Sequence, residues 1–186
     1  MKIAPLKIES PRVLIRTYTI ADASSLFKLI DSNKEILADY FPMTIESTSG
    51  IMATRKYILT RNSERKSGLS LFAGIFLKDG KTLIGQICAK DINQRVPKCE
   101  IGYFIDKSHF GKGFCSEATK LFSDYCFEKI GFAKITLRIE PKNTASKKVA
   151  EKSSYEFIGL AKNDFRSTKG RLMDCELWER INSNFH

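Results

Sequence analysis

The stretch His109–Ser146, "HFGKGFCSEATKLFSDYCFEKIGFAKITLRIEPKNTAS", sets two glycines around a lysine where a helical pattern begins, and ends in an asparagine and a serine. Gly111 and Gly113 allow a tight turn and leave several amide N–H groups without side-chain cover. Amides of this kind, with a helix N-terminus behind them, form an anion site, and Lys112 adds a positive charge at its middle. A diphosphate suits that geometry. A glycine pair by itself is equally the mark of a plain tight turn. Two nucleotide motifs fail here: a Walker loop needs Ser or Thr after G-K, and a dinucleotide fingerprint needs a third glycine where Ser116 stands. Asn143, after the strand-ending Pro141, reads as a helix N-cap, with Ser146 on the surface behind it.

These residues need elements to hold them. Phe114, Ala118, Leu121, Phe122 and Tyr125 fall on one apolar face at the 3.6-residue period, with Glu117, Lys120, Ser123 and Asp124 opposite, and Gly131 closes the helix. Before it, "KCEIGYFID" (Lys98–Asp106) predicts a strand; after it, Ala133–Glu140 predicts another and Asn143–Ser153 a short helix. Upstream, Val13–Tyr18 reads as a strand. A helix follows from Thr19 or Asp22, with Leu26, Leu29 and Ile30 inward. Further helical signal runs over about Lys34–Tyr40 and Ser49–Arg65, and Ser70–Leu77 with Thr82–Ile92 forms a hairpin across "DG". Two last strands are expected at Tyr155–Ala161 and Leu172–Ile181. The order is mixed α/β.

The chain has 186 residues, room for one domain over 1–186 with a real core. No apolar run suggests a membrane span and no signal peptide is visible, so a cytoplasmic protein without membrane contact is expected. The five cysteines (Cys88, Cys99, Cys115, Cys126, Cys175) lack C-x-x-C spacing, so no metal is expected, and four of them read as buried thiols. Cys115, near a helix start, is open to a lowered pKa, but no base partner is evident. With only His109 and the terminal His186, a Ser-His-acid triad would have to use His109. The net charge of +10 favours anionic partners, yet the basic residues are spread along the whole chain. No helix-turn-helix, RNA-binding signature or zinc finger appears, so nucleic acid is not expected as a partner.

The segments "EIGYFID", "FGKGFCSEA", "ITLRIEPKNTASKKVAEK" and "MDCELWE" run in order over Glu100–Glu179, and "VLIRTYTIADASSLFKLI" adds a looser match. In order and spacing they resemble the GNAT superfamily of acyl-CoA-dependent N-acyltransferases, and most closely its RimJ/RimL-type branch. The resemblance implies one domain with a mixed, mostly antiparallel twisted sheet and helices on both faces. It implies that the amides of Phe110, Gly111, Lys112, Gly113, Phe114 and Cys115 hold the pyrophosphate of acetyl-CoA. Phe110 and Cys115 depart from the pattern, standing where relatives have Gln/Arg and Gly/Ala. Phe104 and Ile105 would pair with the pantetheine arm, Asn143 would hydrogen-bond its amides, and Lys147 and Lys148 would neutralise CoA phosphates. Ser146, in the N-x-x-S position, would protonate the departing thiolate. The amine acceptor must first lose a proton, for which Asp164 and Glu100 are the candidates. The usual K-x-G-F reads Lys152-Ser153-Ser154-Tyr155, with Tyr155 expected in the core.

The implied activity is acetyl-CoA-dependent N-acetylation of a primary amine by direct transfer in a ternary complex. A ribosomal-protein N-terminus, another peptide α-amine, a polyamine, an amino acid and an aminoglycoside remain open as acceptors. The basic surface favours an acidic acceptor over a polycation. A non-catalytic acyl-CoA-binding module is the rival reading, because it would keep the loop but need no base. A monomer or a homodimer is expected.

Overall fold

Long β-branched and aromatic runs make the strands, and their pairing makes one sheet. The computed structural model describes residues 2–167 and 170–185, so His186 lies outside the described residues. The strands are β1 (Lys7–Glu9), β2 (Val13–Thr17), β3 (Leu71–Leu77), β4 (Leu83–Asn93), β5 (Lys98–Ile105), β6 (Lys134–Ile139), β7 (Glu156–Arg166) and β8 (Leu172–Ile181). They form an eight-stranded sheet in the order β1-β2-β3-β4-β5-β6-β8-β7. Every neighbouring pair is antiparallel except β5 and β6. This matches the expected mixed, mostly antiparallel sheet.

Helices cover both faces. On one, α1 (Ala23–Ser32), α2 (Lys34–Leu37), α3 (Pro42–Ser47) and α4 (Ile51–Lys66) gather around Leu26, Leu29, Ile30, Tyr57 and Ile58, packed with Phe104 of β5. On the other, α5 (Phe114–Tyr125) and α6 (Thr144–Lys152) bury Ala118, Phe122 and Ala150 against Ile101, Ile135 and Leu137. Each large apolar side chain fully buried this way is worth about 1.5–3 kcal/mol. Ser123, assigned above to the polar face of α5, is fully buried instead. Its hydroxyl lies 2.7 Å from the Tyr155 hydroxyl and donates to the Thr119 carbonyl at 2.7 Å, so the polar group enters the core satisfied.

Three boundaries differ from the sequence reading. The expected helix to Tyr40 stops at Leu37, and Pro42 opens a separate α3, where its missing N–H and fixed φ are tolerated. The short β1 had no sequence signal. The strand expected to end at Ala161 continues to Arg166, because after an irregularity at Lys162–Asp164 pairing with β8 resumes at Phe165 and Arg166, opposite Met173 and Leu172. β7 is an edge strand that exposes Phe157, Ile158 and Leu160, and its register shifts twice, at Phe157/Gly159 and at Ala161/Phe165.

The entry to α1 depends on one ion pair. Arg16 donates to both oxygens of Asp22 at 2.8 and 2.7 Å, and Asp22 accepts the Thr19 amide at 2.7 Å. Burial acts to raise the Asp22 carboxyl, but the hydrogen bonds from Arg16 and Thr19 outweigh it and hold the group below its ordinary value. Asp22→Asn should destabilise the protein by about 2–4 kcal/mol at pH 7, since it leaves a half-buried guanidinium without its charge partner. A depressed folded-state pKa stabilises above the unfolded value and is lost as pH falls through the folded one. The gap to wild type in chemical denaturation should therefore shrink below about pH 4. Ser154 holds φ +64° where the K-x-G-F pattern has glycine. Relieving that left-handed strain, Ser154→Gly should raise stability by about 1 kcal/mol, read as a higher urea midpoint.

Candidate active site

The parallel contact of β5 with β6 is short. It joins Lys98, Cys99 and Glu100 to Lys134, Ile135 and Thr136, and beyond Glu100 the two strands part. Past that point β5 pairs only with β4, and β6 only with β8, so a wedge opens through the sheet. The Asp106 amide donates to the Ile84 carbonyl of β4 at 2.7 Å, and a Cβ on Gly85 would lie 2.4 Å from the Phe104 carbonyl. By strand alternation the backbone groups of Phe104 also face β4, and those of Tyr103 and Ile105 face the wedge. Ile105 thus turns its backbone groups to the open edge. Phe104 does not: its ring is buried with Phe41, 5.3 Å away edge to face, and Tyr103 takes its place at the edge.

Because β5 and β6 run parallel, the segments leaving their carboxyl ends meet at the mouth of the wedge. The first is the 106–113 loop. Gly111 and Gly113 both take left-handed backbone, at φ +74° and +79°, and Gly113 is the α5 N-cap residue with no side-chain cap. The amides of residues 111–116 have no protein acceptor among the described residues, which leaves a cluster of N–H donors at a helix start. Phe110 is exposed beside them. The Lys112 ammonium turns back onto the Ser108 carbonyl at 2.9 Å, and the Lys112 carbonyl accepts from Arg12 Nη1 at 2.9 Å. Phe114 lies under the Arg12 guanidinium, 5.0 Å from ring centroid to Cζ, and stacks edge-on to His109. Cys115 is not the activated thiol its place at a helix start allowed. Burial pushes it up to about 12, so it stays neutral.

The second segment is the start of α6. Asn143 caps this helix, its side-chain oxygen accepting the Ser146 amide at 3.0 Å. That leaves the Asn143 NH₂ group for any other partner. Ser146 stands half-buried in the first turn, and its carbonyl accepts the Tyr103 hydroxyl across the wedge at 3.3 Å. Its own hydroxyl makes no hydrogen bond among the described residues. Lys147 is occupied elsewhere, paired with Glu176 at 3.1 Å, and Glu176 also accepts from the Trp178 indole. Lys148 is exposed and unpaired among the described residues.

The two expected carboxylates lie on the helix α1–α4 side and converge on one arginine that the sequence reading did not single out. Arg138 of β6 reaches Glu100 Oε2 through Nε and Asp164 Oδ2 through Nη1, each at 3.1 Å. Glu100 also pairs with Lys90 at 2.8 Å, so both of its oxygens are engaged. Asp164 Oδ2, by contrast, is buried with no hydrogen bond, because the Arg138 contact is misaligned for one. Nearby, Tyr40 donates to Glu140 at 2.5 Å, and burial together with that carboxylate pushes its hydroxyl up to about 12. A Cβ on Gly102 would sit 3.5 Å from Cys88 Sγ and 3.8 Å from Phe41, so the glycine keeps this side of β5 clear. Arg138 and Lys90 alternate with apolar residues as any exposed strand residue does, and spacing alone carries no sign of their convergence on Glu100.

An anion cradle, a hydroxyl at the mouth of a split sheet and carboxylates on its far side can hold a phosphorylated cofactor and serve proton transfer. The comparisons agree with this chemistry. The acetyltransferase (GNAT) domain family matches residues 12–156. The chain is 30% identical over 143 residues to the uncharacterized N-acetyltransferase p20 of Bacillus licheniformis, covering 77% of this chain and 80% of p20. Its fold is shared with the ribosomal-protein-S5-alanine acetyltransferase of Vibrio fischeri, at TM-score 0.88 and 21% identity over 97% and 99% of the two chains. It is also shared with RimL, a ribosomal L7/L12 α-N-protein acetyltransferase in complex with coenzyme A, at TM-score 0.85 and 20% identity over 95% and 98%. At that identity the structural neighbours establish the fold alone. Among the described residues no helix is long and apolar enough to cross a membrane, and no cluster of metal-binding side chains forms. With a family match over most of its length and a relative at 30% identity, this chain belongs to the GNAT acetyltransferase family.

Proposed function

We propose that the protein acetylates the α-amine of a protein N-terminus, using acetyl-CoA in a ternary complex of the RimJ/RimL type. The observation that carries this reading is the wedge, with its donor cluster and the Ser146 hydroxyl at one mouth and an unsatisfied carboxylate oxygen across the sheet. Acetyl-CoA supplies the reactive thioester. The amides of residues 111–116 take its pyrophosphate, and exposed Lys148, midway along α6, adds a positive charge. The backbone groups of Tyr103 and Ile105 pair with the pantetheine amides, and the Asn143 NH₂ group adds a donor. Asp164 accepts a proton from the acceptor ammonium, directly or through water, so that the nitrogen has a lone pair for attack on the thioester carbonyl. As the C–S bond breaks, the Ser146 hydroxyl gives its proton to the sulfur and is refilled from the proton released by the new amide nitrogen. Glu100, engaged by Lys90 and Arg138, keeps Arg138 in place. A protein α-amine as acceptor is supported by the activities of the two ribosomal-protein acetyltransferases that share the fold, and the net charge of +10 favours an acidic chain behind that amine.

A panel of peptide α-amines and small amines, read by release of free CoA thiol, tests the activity. Turnover with peptides of free N-terminus and none with their N-acetylated forms is expected; turnover confined to polyamines or aminoglycosides would overturn the acceptor assignment. Gly113→Asp adds bulk and negative charge beside the pyrophosphate and should greatly weaken acetyl-CoA binding in titration calorimetry. Equal affinity for the two proteins would remove the loop from the cofactor site. Ser146→Ala should lower kcat by about 10²-fold at nearly unchanged acetyl-CoA affinity, the low end for a positioned proton donor because a thiol leaves readily. Asp164→Asn should lower kcat more than Glu100→Gln does, and the reverse order would move the base to Glu100.

A further inference from the structure

The loop that carries the donor cluster is fastened from a distant part of the chain. Arg12, in the β1–β2 turn, lies 100 residues before Lys112, whose carbonyl it holds through Nη1. Its Nε donates to Glu117 Oε2 at 2.6 Å, and Nη2 forms a closer ion pair with the same carboxylate. Glu117 stands in the first turn of α5, where its own amide donates to the Gly113 carbonyl at 3.1 Å. The Ser10 hydroxyl at 2.5 Å and the Arg12 amide at 3.3 Å complete the cage around the other Glu117 oxygen. Burial raises the Glu117 carboxyl, but the bonds from Ser10 and Arg12 more than offset it, so the anchor stays ionised.

We propose that Arg12, set by Glu117, is a positioning residue for the cofactor diphosphate, a proposal that rests on the phosphate-loop reading above. The physical link is the planarity of one peptide unit. The Lys112–Gly113 bond is trans, so its carbonyl and the Gly113 N–H point in opposite directions. Arg12 draws the carbonyl toward the β1–β2 turn and thereby turns the Gly113 N–H away from it, toward the open donor cluster. The glycines on both sides of Lys112 hold left-handed conformations with little steric cost and would swing easily without such an anchor. The side chain acts through the loop: one N–H on each of its three nitrogens is directed at the Glu117 carboxylate or the Lys112 carbonyl.

A simple charge effect predicts the opposite outcome for one of the variants. Glu117→Gln removes a negative charge close to an anion site and frees a positive one, so field effects alone would tighten CoA binding. Positioning requires that it loosen, because Arg12 loses the carboxylate that aims it. In titration calorimetry with CoA, Arg12→Met and Glu117→Gln should each bind about 10-fold more weakly than wild type, the scale of one lost hydrogen bond to a charged group. Arg12→Lys, which keeps the charge but cannot span both partners, should recover only part of the loss. Turnover of S-acetylpantetheine, which lacks the diphosphate, should stay within about 2-fold of wild type in all three, as a loop effect specific to the diphosphate requires. Wild-type CoA affinity in Arg12→Met, tighter binding by Glu117→Gln, or equal losses with acetyl-CoA and S-acetylpantetheine would each overturn the proposal. Gly113→Asp separates it from the reading beneath it. If Gly113→Asp loses CoA while Arg12→Met does not, only the role of Arg12 falls; if Gly113→Asp binds CoA normally, the loop reading falls first.

Discussion

Two parallel strands that pair over three residues and then separate impose the rest of this architecture. Backbone N–H and C=O groups need partners, and a central strand normally finds them on both sides. From Tyr103 to Ile105 the strand β5 has a neighbour only in β4, so one row of its polar groups is left for water or a ligand. The gap also joins the two faces of the sheet, which would otherwise be sealed from each other. Parallel direction then decides what collects at the mouth. The chain leaves both strands at the same end, so the glycine loop and the start of α6 converge there without any long excursion.

The charge of the molecule matters through its arrangement rather than its sum. A net +10 suggests lysines around an anion, yet Lys112 folds onto a backbone carbonyl and Lys147 onto Glu176. The loop itself contributes backbone amides oriented by glycine conformation and by a helix start. Such donors cost little reorganisation when an anion arrives. On the opposite side, one guanidinium links two carboxylates and leaves one buried oxygen short of a hydrogen bond. A buried acceptor without a donor is costly.

How much of this was legible in the sequence follows from the range of each signal. The glycine loop, the helix behind it and the Asn143 cap are local patterns, and all appear where the periodicity and turn residues put them. The sheet direction came from the family resemblance, since pairing partners are not written in any one segment. The resemblance implies Phe104 and Ile105 together, and only the bond from Asp106 to Ile84 tells which of two adjacent residues turns its backbone toward the gap. Arg138 and Arg12 went unnoticed for a related reason. Each is an ordinary polar residue in its own strand or turn, and its partners lie far away in sequence. The polar run "KNDFR" looked like a loop because it continues an edge strand whose outward side faces water.

That edge strand has a further consequence. A long border with Phe157, Ile158 and Leu160 in the open is a template on which a stray chain could lay down another strand and begin a fibril. The two register shifts in β7 leave no run in unbroken step longer than Gly159–Ala161, and each adds local twist that a flat incoming strand cannot follow. Lys162, largely in water and paired with Asp174 at 2.7 Å, places an ion pair directly after that short run. The irregularity that carries the last hairpin past Ala161 thus also blunts the most adhesive border of the fold.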